Sequence, residues 1–207
     1  MTTRRLAAIL AADMVGYSRL MNADEEGTLA RLVEIRQAIL DPAVGRSGGR
    51  VVKTTGDGFL VEFPSAVEAL RCALEIQKQV RDHEKEHESE RRFQFRIGIN
   101  VGDVIASDDD IHGDGVNVAA RLEALAEPGG ILVAANAHAM AVGRVKCTFE
   151  DAGEQRLKNI ATPVRAYRVT QASEPERPSL PLPDKPSIAV LPFQNMSTSR
   201  HAPAGYW

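Results

Sequence analysis

Only two cysteines and one tryptophan occur in the 207 residues, and aromatic residues make up 5%. Cys72 and Cys147 are far apart and have neither metal-ligand nor redox spacing, which leaves two isolated buried thiols in a reducing cytosol. No apolar run approaches membrane-spanning length. Arg4-Arg5 followed by Leu6 to Ala12 mimics a short signal peptide, but that run is at the lower limit for one. It also passes straight into an acidic segment, so it reads as part of the fold. A large excess of either charge is lacking too: the formal net charge is -3, which gives no reason to expect nucleic acid or an anionic membrane as partner. A cytoplasmic protein without a membrane segment is the expectation.

What is present is enough for a core. With 43% hydrophobic residues the chain can build one well-cored domain and a fragment of something else. Two runs with strand-like alternation, Val51 to Thr55 and Phe59 to Phe63, flank a Gly56-Asp57-Gly58 tip and predict a β-hairpin. Alone, that is ordinary turn chemistry. Upstream, however, Ala7 to Ala12 is a short apolar strand that ends in Asp13 and turns at Gly16. Two aspartates at the ends of neighbouring strands suit a hard divalent cation such as Mg²⁺, which keeps waters and substrate phosphates as its other ligands.

Between these strands, Asp24 to about Arg46 places Leu29, Leu32, Val33, Ile35, Ile39 and Leu40 at mostly helical spacing. Pro64-Ser65 opens a second helix, which runs into a charged stretch, Arg81 to Arg92, read as a solvated helix end and loop. Phe93 to Gly102 alternates as a strand, with Asp103 to Ala106 expected to turn back beside it. A helix from Val116 to Ala126, a strand at 131–134, a helix at 136–142 and strands at 147–151 and 164–169 follow. This order predicts a ferredoxin-like α+β sandwich, βαββαβ with appended C-terminal strands and helix, its helices covering one face of a mostly antiparallel sheet. Residues 1–172 form the expected domain. Five prolines between 174 and 186 mark a linker, so 173–207 reads as that linker and the truncated start of a further region.

The Asp13 segment and the Lys53-Thr54-Thr55-Gly56-Asp57-Gly58-Phe59 hairpin together resemble the metal-binding segments of the class III nucleotide cyclases, the adenylate and guanylate cyclase catalytic domain. The resemblance covers about residues 4 to 170. It implies two Mg²⁺ or Mn²⁺ ions on Asp13 and Asp57, with the backbone carbonyl of Met14 as an extra ligand. It also implies attack of the ribose 3′-hydroxyl of a nucleoside triphosphate on its α-phosphorus.

Asn117 and Arg121, four apart on one helix, share a face while Val118, Leu122 and Leu125 are expected to be buried. By themselves they make a polar helix face. By resemblance, Asn117 orients the ribose and Arg121 braces the α-phosphate. Adenine presents an N6 donor and an N1 acceptor, which an aspartate and a lysine complement. The resemblance assigns these to Asp110 and Lys53, with Asp108 and Asp109 as alternatives in register. It further assigns Lys158 to the triphosphate and Arg96 to the leaving pyrophosphate. Asn100-Val101 departs from the His-Thr frequent in the family after that strand.

The implied activity is an adenylate cyclase acting on ATP, with sites shared across a homodimer. A guanylate cyclase typically carries a glutamate where Lys53 stands, and the Gly-Gly-Asp/Glu-Glu-Phe tip of diguanylate cyclases is absent. A non-catalytic nucleotide-binding or dimerisation module is the alternative of another class, and such domains usually lose a metal aspartate or the Asn/Arg pair.

Overall fold

The computed structural model describes residues 3–106 and 110–171. The tail from 173 onward, and Asp108 and Asp109 with it, lie outside the described residues. The sheet has the order β2-β3-β1-β4-β6-β8-β7, with β5 pairing the end of β4. Its strands are β1 (Thr3–Met14), β2 (Arg50–Thr55), β3 (Gly58–Phe63), β4 (Phe95–Ala106), β5 (Ile111–His112), β6 (Ile131–Ala134), β7 (Cys147–Gln155) and β8 (Val164–Gln171). The βαββαβ unit ends with β4, and β1 lies between β3 and β4, antiparallel to both. The remaining strands extend the sheet beyond β4, as expected of appended elements.

Alternation along β1 sorts the two faces. Ala8, Leu10, Ala12 and Met14 enter the main core, against α1 (Tyr17–Ala23), α2 (Glu25–Ile35), α3 (Asp41–Arg46), α4 (Ala66–His83) and α6 (Ala135–Ala141). Ala7, Ile9 and Ala11 face the other way, against α5 (Asp114–Leu125). The helices therefore cover both faces, which corrects the expectation of one. The cause is in β6, where Ile131 and Val133 join the main core while Leu132 and Ala134 pack under Val118 and Leu122 of α5. An apolar strand of that kind must be buried on both sides.

Local chemistry explains the helix boundaries. The Ser65 hydroxyl accepts from Glu68 N at 3.2 Å and caps α4, and Asp24 caps α2 by accepting from Gly27 N. Between α2 and α3, Arg36–Leu40 widens to a π turn, closed by Asp41 N donating to Arg36 O. Pro42 follows at once. It has no N–H to donate and its ring crowds the carbonyl four residues back, so the helix widens there instead of breaking.

Three details differ from the expectations drawn from sequence. Asp103 to Ala106 does not turn back; it continues β4, because Thr3 to Leu6 extend β1 and pair with it. The returning strand is the short β5. Leu125 is exposed, because α5 ends there and Ala126 takes the buried place. Cys147 is half-buried, unlike Cys72.

Candidate active site

Asp13 is the second-last residue of β1, and its register partner on β4 is Arg96. Direct antiparallel partners share a face, and the Arg96 Nη2 donates to Asp13 Oδ2 at 2.9 Å. The β2–β3 hairpin brings the second aspartate to the same place. Phe59 pairs with Ala12, so the turn falls beside the end of β1. Gly56, at φ 64°, takes the left-handed conformation that a two-residue hairpin turn asks of its first central residue. A side chain on Gly58 would lie only 3.4 Å from Asp13 Oδ1, which shows how closely the turn abuts the carboxylate. Burial chiefly, and the negative Asp13 beside it, push the Asp57 carboxyl above the usual range.

Lys53 reaches its position by a bulge. Val51 pairs with Val61, but Lys53 pairs with Leu60, so Val52 is an extra residue in β2. In an unbroken ladder Lys53 would oppose Phe59, which packs into the main core. The bulge turns it to the face that Leu60 shares with α5. There Lys53 Nζ lies 3.2 Å from Asp110 Oδ2, and Asp110 Oδ1 accepts from Ile111 N. The lysine chiefly holds the Asp110 carboxyl below its ordinary value.

Asn117 and Arg121 lie on the exposed side of α5, and Lys158 is exposed in the loop after β7. The structure thus joins Asp13, Asp57 and Arg96 in one cluster and Lys53 with Asp110 in another. Among the described residues, Asn117, Arg121 and Lys158 form no hydrogen bond or ion pair with either. A cleft of ≈ 620 Å³ lies at the start of α5, bordered by Asn100, Gly115 and Thr162, and does not include Asp13 or Asp57.

A family model for the adenylate and guanylate cyclase catalytic domain matches residues 2–171. The chain belongs to this family. It is 48% identical over 201 residues to a Rhizobium meliloti protein named "Putative adenylate cyclase 3", covering 94% of this chain and 34% of that one. An adenylate cyclase of Streptomyces coelicolor is 36% identical over 133 residues, 64% of this chain and 33% of that protein. The chain therefore spans about a third of the length of these two relatives. Among solved structures, an adenylate/guanylate cyclase/hydrolase of Silicibacter pomeroyi superposes with TM-score 0.77 at 50% identity, over 81% of this chain and 98% of that one. An adenylyl cyclase of P. aeruginosa gives 0.74 at 25% identity, over 84% and 98%.

Two residues of this cyclase-family domain gain a place that sequence reasoning did not give them. Asn100, a departure from the family's frequent pattern, is buried and donates from Nδ2 to Gly115 O at 2.9 Å, tying β4 to the first turn of α5. Glu123 is on the sheet side of α5, with Oε1 3.5 Å from Arg96 Nε. Burial chiefly, and then the charge of Asp13, push Glu123 up to about 7. The available signal was its spacing, four residues after the buried Ala119.

Among the described residues no group of three or more His, Cys, Asp or Glu could hold a metal. The pair Asp13 and Asp57 nonetheless fits a hard cation. Two carboxylates held together at a half-buried strand end repel each other, and an ion held by oxygen ligands relieves the repulsion. No helix among the described residues is long and apolar enough to cross a membrane.

Proposed function

We propose that this chain is an adenylate cyclase that converts ATP to 3′,5′-cyclic AMP and pyrophosphate. Asp13 and Asp57 would hold two Mg²⁺ or Mn²⁺ ions, with the Met14 carbonyl as a further ligand. The observation that carries the base choice is the 3.2 Å approach of Lys53 Nζ to Asp110 Oδ2, which sets a donor beside an acceptor. Adenine needs an acceptor for its N6 amino group and a donor for N1, and this pair offers both. The names of the Rhizobium and Streptomyces relatives point the same way.

When bound, the ions would lower the pKa of the attacking 3′-hydroxyl and offset the charge of the triphosphate. The chain's own groups do the rest. Asn117 orients the ribose, Arg121 meets the charge that gathers on the α-phosphate oxygens, and Arg96 and Lys158 hold the departing pyrophosphate.

Helical geometry supports a site shared by two copies. Residues two apart on a helix are turned by about 200°. Glu123 faces its own chain's Arg96, so Arg121, two residues earlier, faces away from the cluster that holds Asp13. Asp13, Asp57 and Arg96 of one protomer would therefore work with Lys53, Asp110, Asn117, Arg121 and Lys158 of its partner.

The test is to incubate the purified chain with ATP or GTP and Mn²⁺ and to identify the cyclic product by mass spectrometry. Cyclic AMP from ATP is expected. Preferential formation of cyclic GMP would make it a guanylate cyclase, and tight nucleotide binding without a cyclic product would make it a binding module.

A further inference from the structure

Arg96 and Glu123 meet because a helix and a strand touch at one glycine. A Cβ on Gly98 of β4 would overlap the Ala119 carbonyl oxygen and the Glu123 amide nitrogen of α5. Arg96 lies two residues before Gly98, hence on the same face of the strand, and Glu123 lies one helical turn after Ala119. The carboxylate is thereby hung over the guanidinium. Its side chain is 13% exposed, against 31% for Asp13, so it is the more buried of the two acids that flank Arg96.

The arrangement is incomplete in a specific way. Arg96 Nη2 is hydrogen-bonded to Asp13, but Arg96 Nε and Glu123 Oε1 are both buried and, among the described residues, lack a hydrogen-bond partner. They lie 3.5 Å apart. A buried donor and a buried acceptor left unpaired each carry a desolvation cost, and a shift of a few tenths of an ångström would join them.

Resting on the cyclase reading above, we propose that Glu123 is a positioning residue for Arg96. It receives the Nε hydrogen bond once Asp13 is engaged by cations, and it keeps the guanidinium in place with both Nη nitrogens free for the pyrophosphate portion of the substrate. Asp13 cannot give its full basicity to the cations and to Arg96 at once. Without a second acceptor, the released guanidinium would have no fixed direction. An arginine held through Nε presents its two Nη groups as a fork, the geometry that suits two oxygens of a phosphate.

The test compares Glu123→Met, which keeps the length and removes the acceptor, with Glu123→Gln, which keeps an acceptor without the charge. Both are made in the wild-type and Arg96→Ala backgrounds of the full chain. Calorimetric binding of pyrophosphate and of α,β-methylene-ATP in Mg²⁺ is read beside kcat and KM. Glu123→Met should weaken both ligands about tenfold, and Glu123→Gln by less, about threefold. Neither should weaken them further once Arg96 is alanine.

Binding by Glu123→Met within twofold of wild type overturns the proposal, as does a loss that persists in the Arg96→Ala background. If Glu123→Met does not fold, the Glu123→Gln pair decides by the same criterion. Wild-type protein that binds neither ligand would remove the cyclase reading and this proposal with it. Wild-type protein that binds both and makes cyclic AMP, while Arg96 and Glu123 act additively, would remove this proposal alone.

Discussion

Lys53 and Asp110 stand 57 positions apart in sequence, yet Nζ lies 3.2 Å from Oδ2. Neither element would bring them together by itself: Lys53 needs the extra residue at Val52 to reach that face. On the proposed reading, a purine edge would have to part this ion pair to enter. Lys53 is about half exposed, so the pair is weak enough to be opened.

Exchanging the donor and the acceptor should exchange the base. Lys53→Glu combined with Asp110→Ala is expected to raise kcat/KM for GTP relative to ATP by at least about tenfold, since each misplaced hydrogen-bonding group leaves a polar atom unpaired. Competition between the two nucleotides in one assay reads the ratio. An unchanged ratio would mean that another acid reads the base.

Asp57→Asn should abolish turnover without harming the fold. The turn tolerates asparagine where it holds aspartate, but an amide is a poor ligand for a hard cation. Activity is expected to fall more than about 100-fold, beyond what indirect ligand support contributes. Thermal unfolding should stay near wild type. Near-normal activity in the folded variant would return Asp57 to a turn-forming role.

Mixing two dead proteins should revive one. Asp57→Asn and Arg121→Ala homodimers each spoil both shared sites, whereas a mixed dimer gathers both lesions in one site and leaves the other intact. With random exchange, half the dimers are mixed and each has one good site of two, so roughly a quarter of wild-type activity should return. No recovery while subunits demonstrably exchange would confine the chemistry to one chain.

Glu123 should make the metal-free protein less stable as pH rises. Its carboxyl is raised from 4.5 to about 7 in the fold, so the protonated form is the one the fold favours. That contribution is fully present below the unfolded value and is lost as pH rises through the folded one. In EDTA, the Tm of wild type should fall relative to Glu123→Gln between about pH 4.5 and 7. Parallel Tm curves across that window would mean that the group titrates normally.

Much of this was legible in sequence where the pattern is local. Alternation in Val51 to Phe63 and Phe93 to Gly102 revealed β2, β3 and β4, and the capping serine before Ala66 revealed α4. Features that depend on a partner were not legible. The last residues of β4 stay extended because the first residues of β1 lie beside them, and nothing in Asp103 to Ala106 announces that neighbour. The seven residues of α1 bury only Leu20 and so show no periodic stripe. The bulge lies within Val51-Val52, two like residues that hide which one is extra. Spacing alone could turn Glu123 toward the sheet, but not name its partner: that depends on Gly98, which seats α5 on β4 so that Glu123 lies over Arg96.

Gly98 acts as a gauge between two elements of the proposed site. Through it the helix that bears Asn117 and Arg121 on its outer side is seated on the strand that bears Arg96. Any side chain there would be a shim, lifting the whole helix by the thickness of a methyl group. In the proposed twofold assembly such a change would be felt at both shared sites. Each site would find the outer face of one helix pushed forward and the carboxylate beneath the other drawn back.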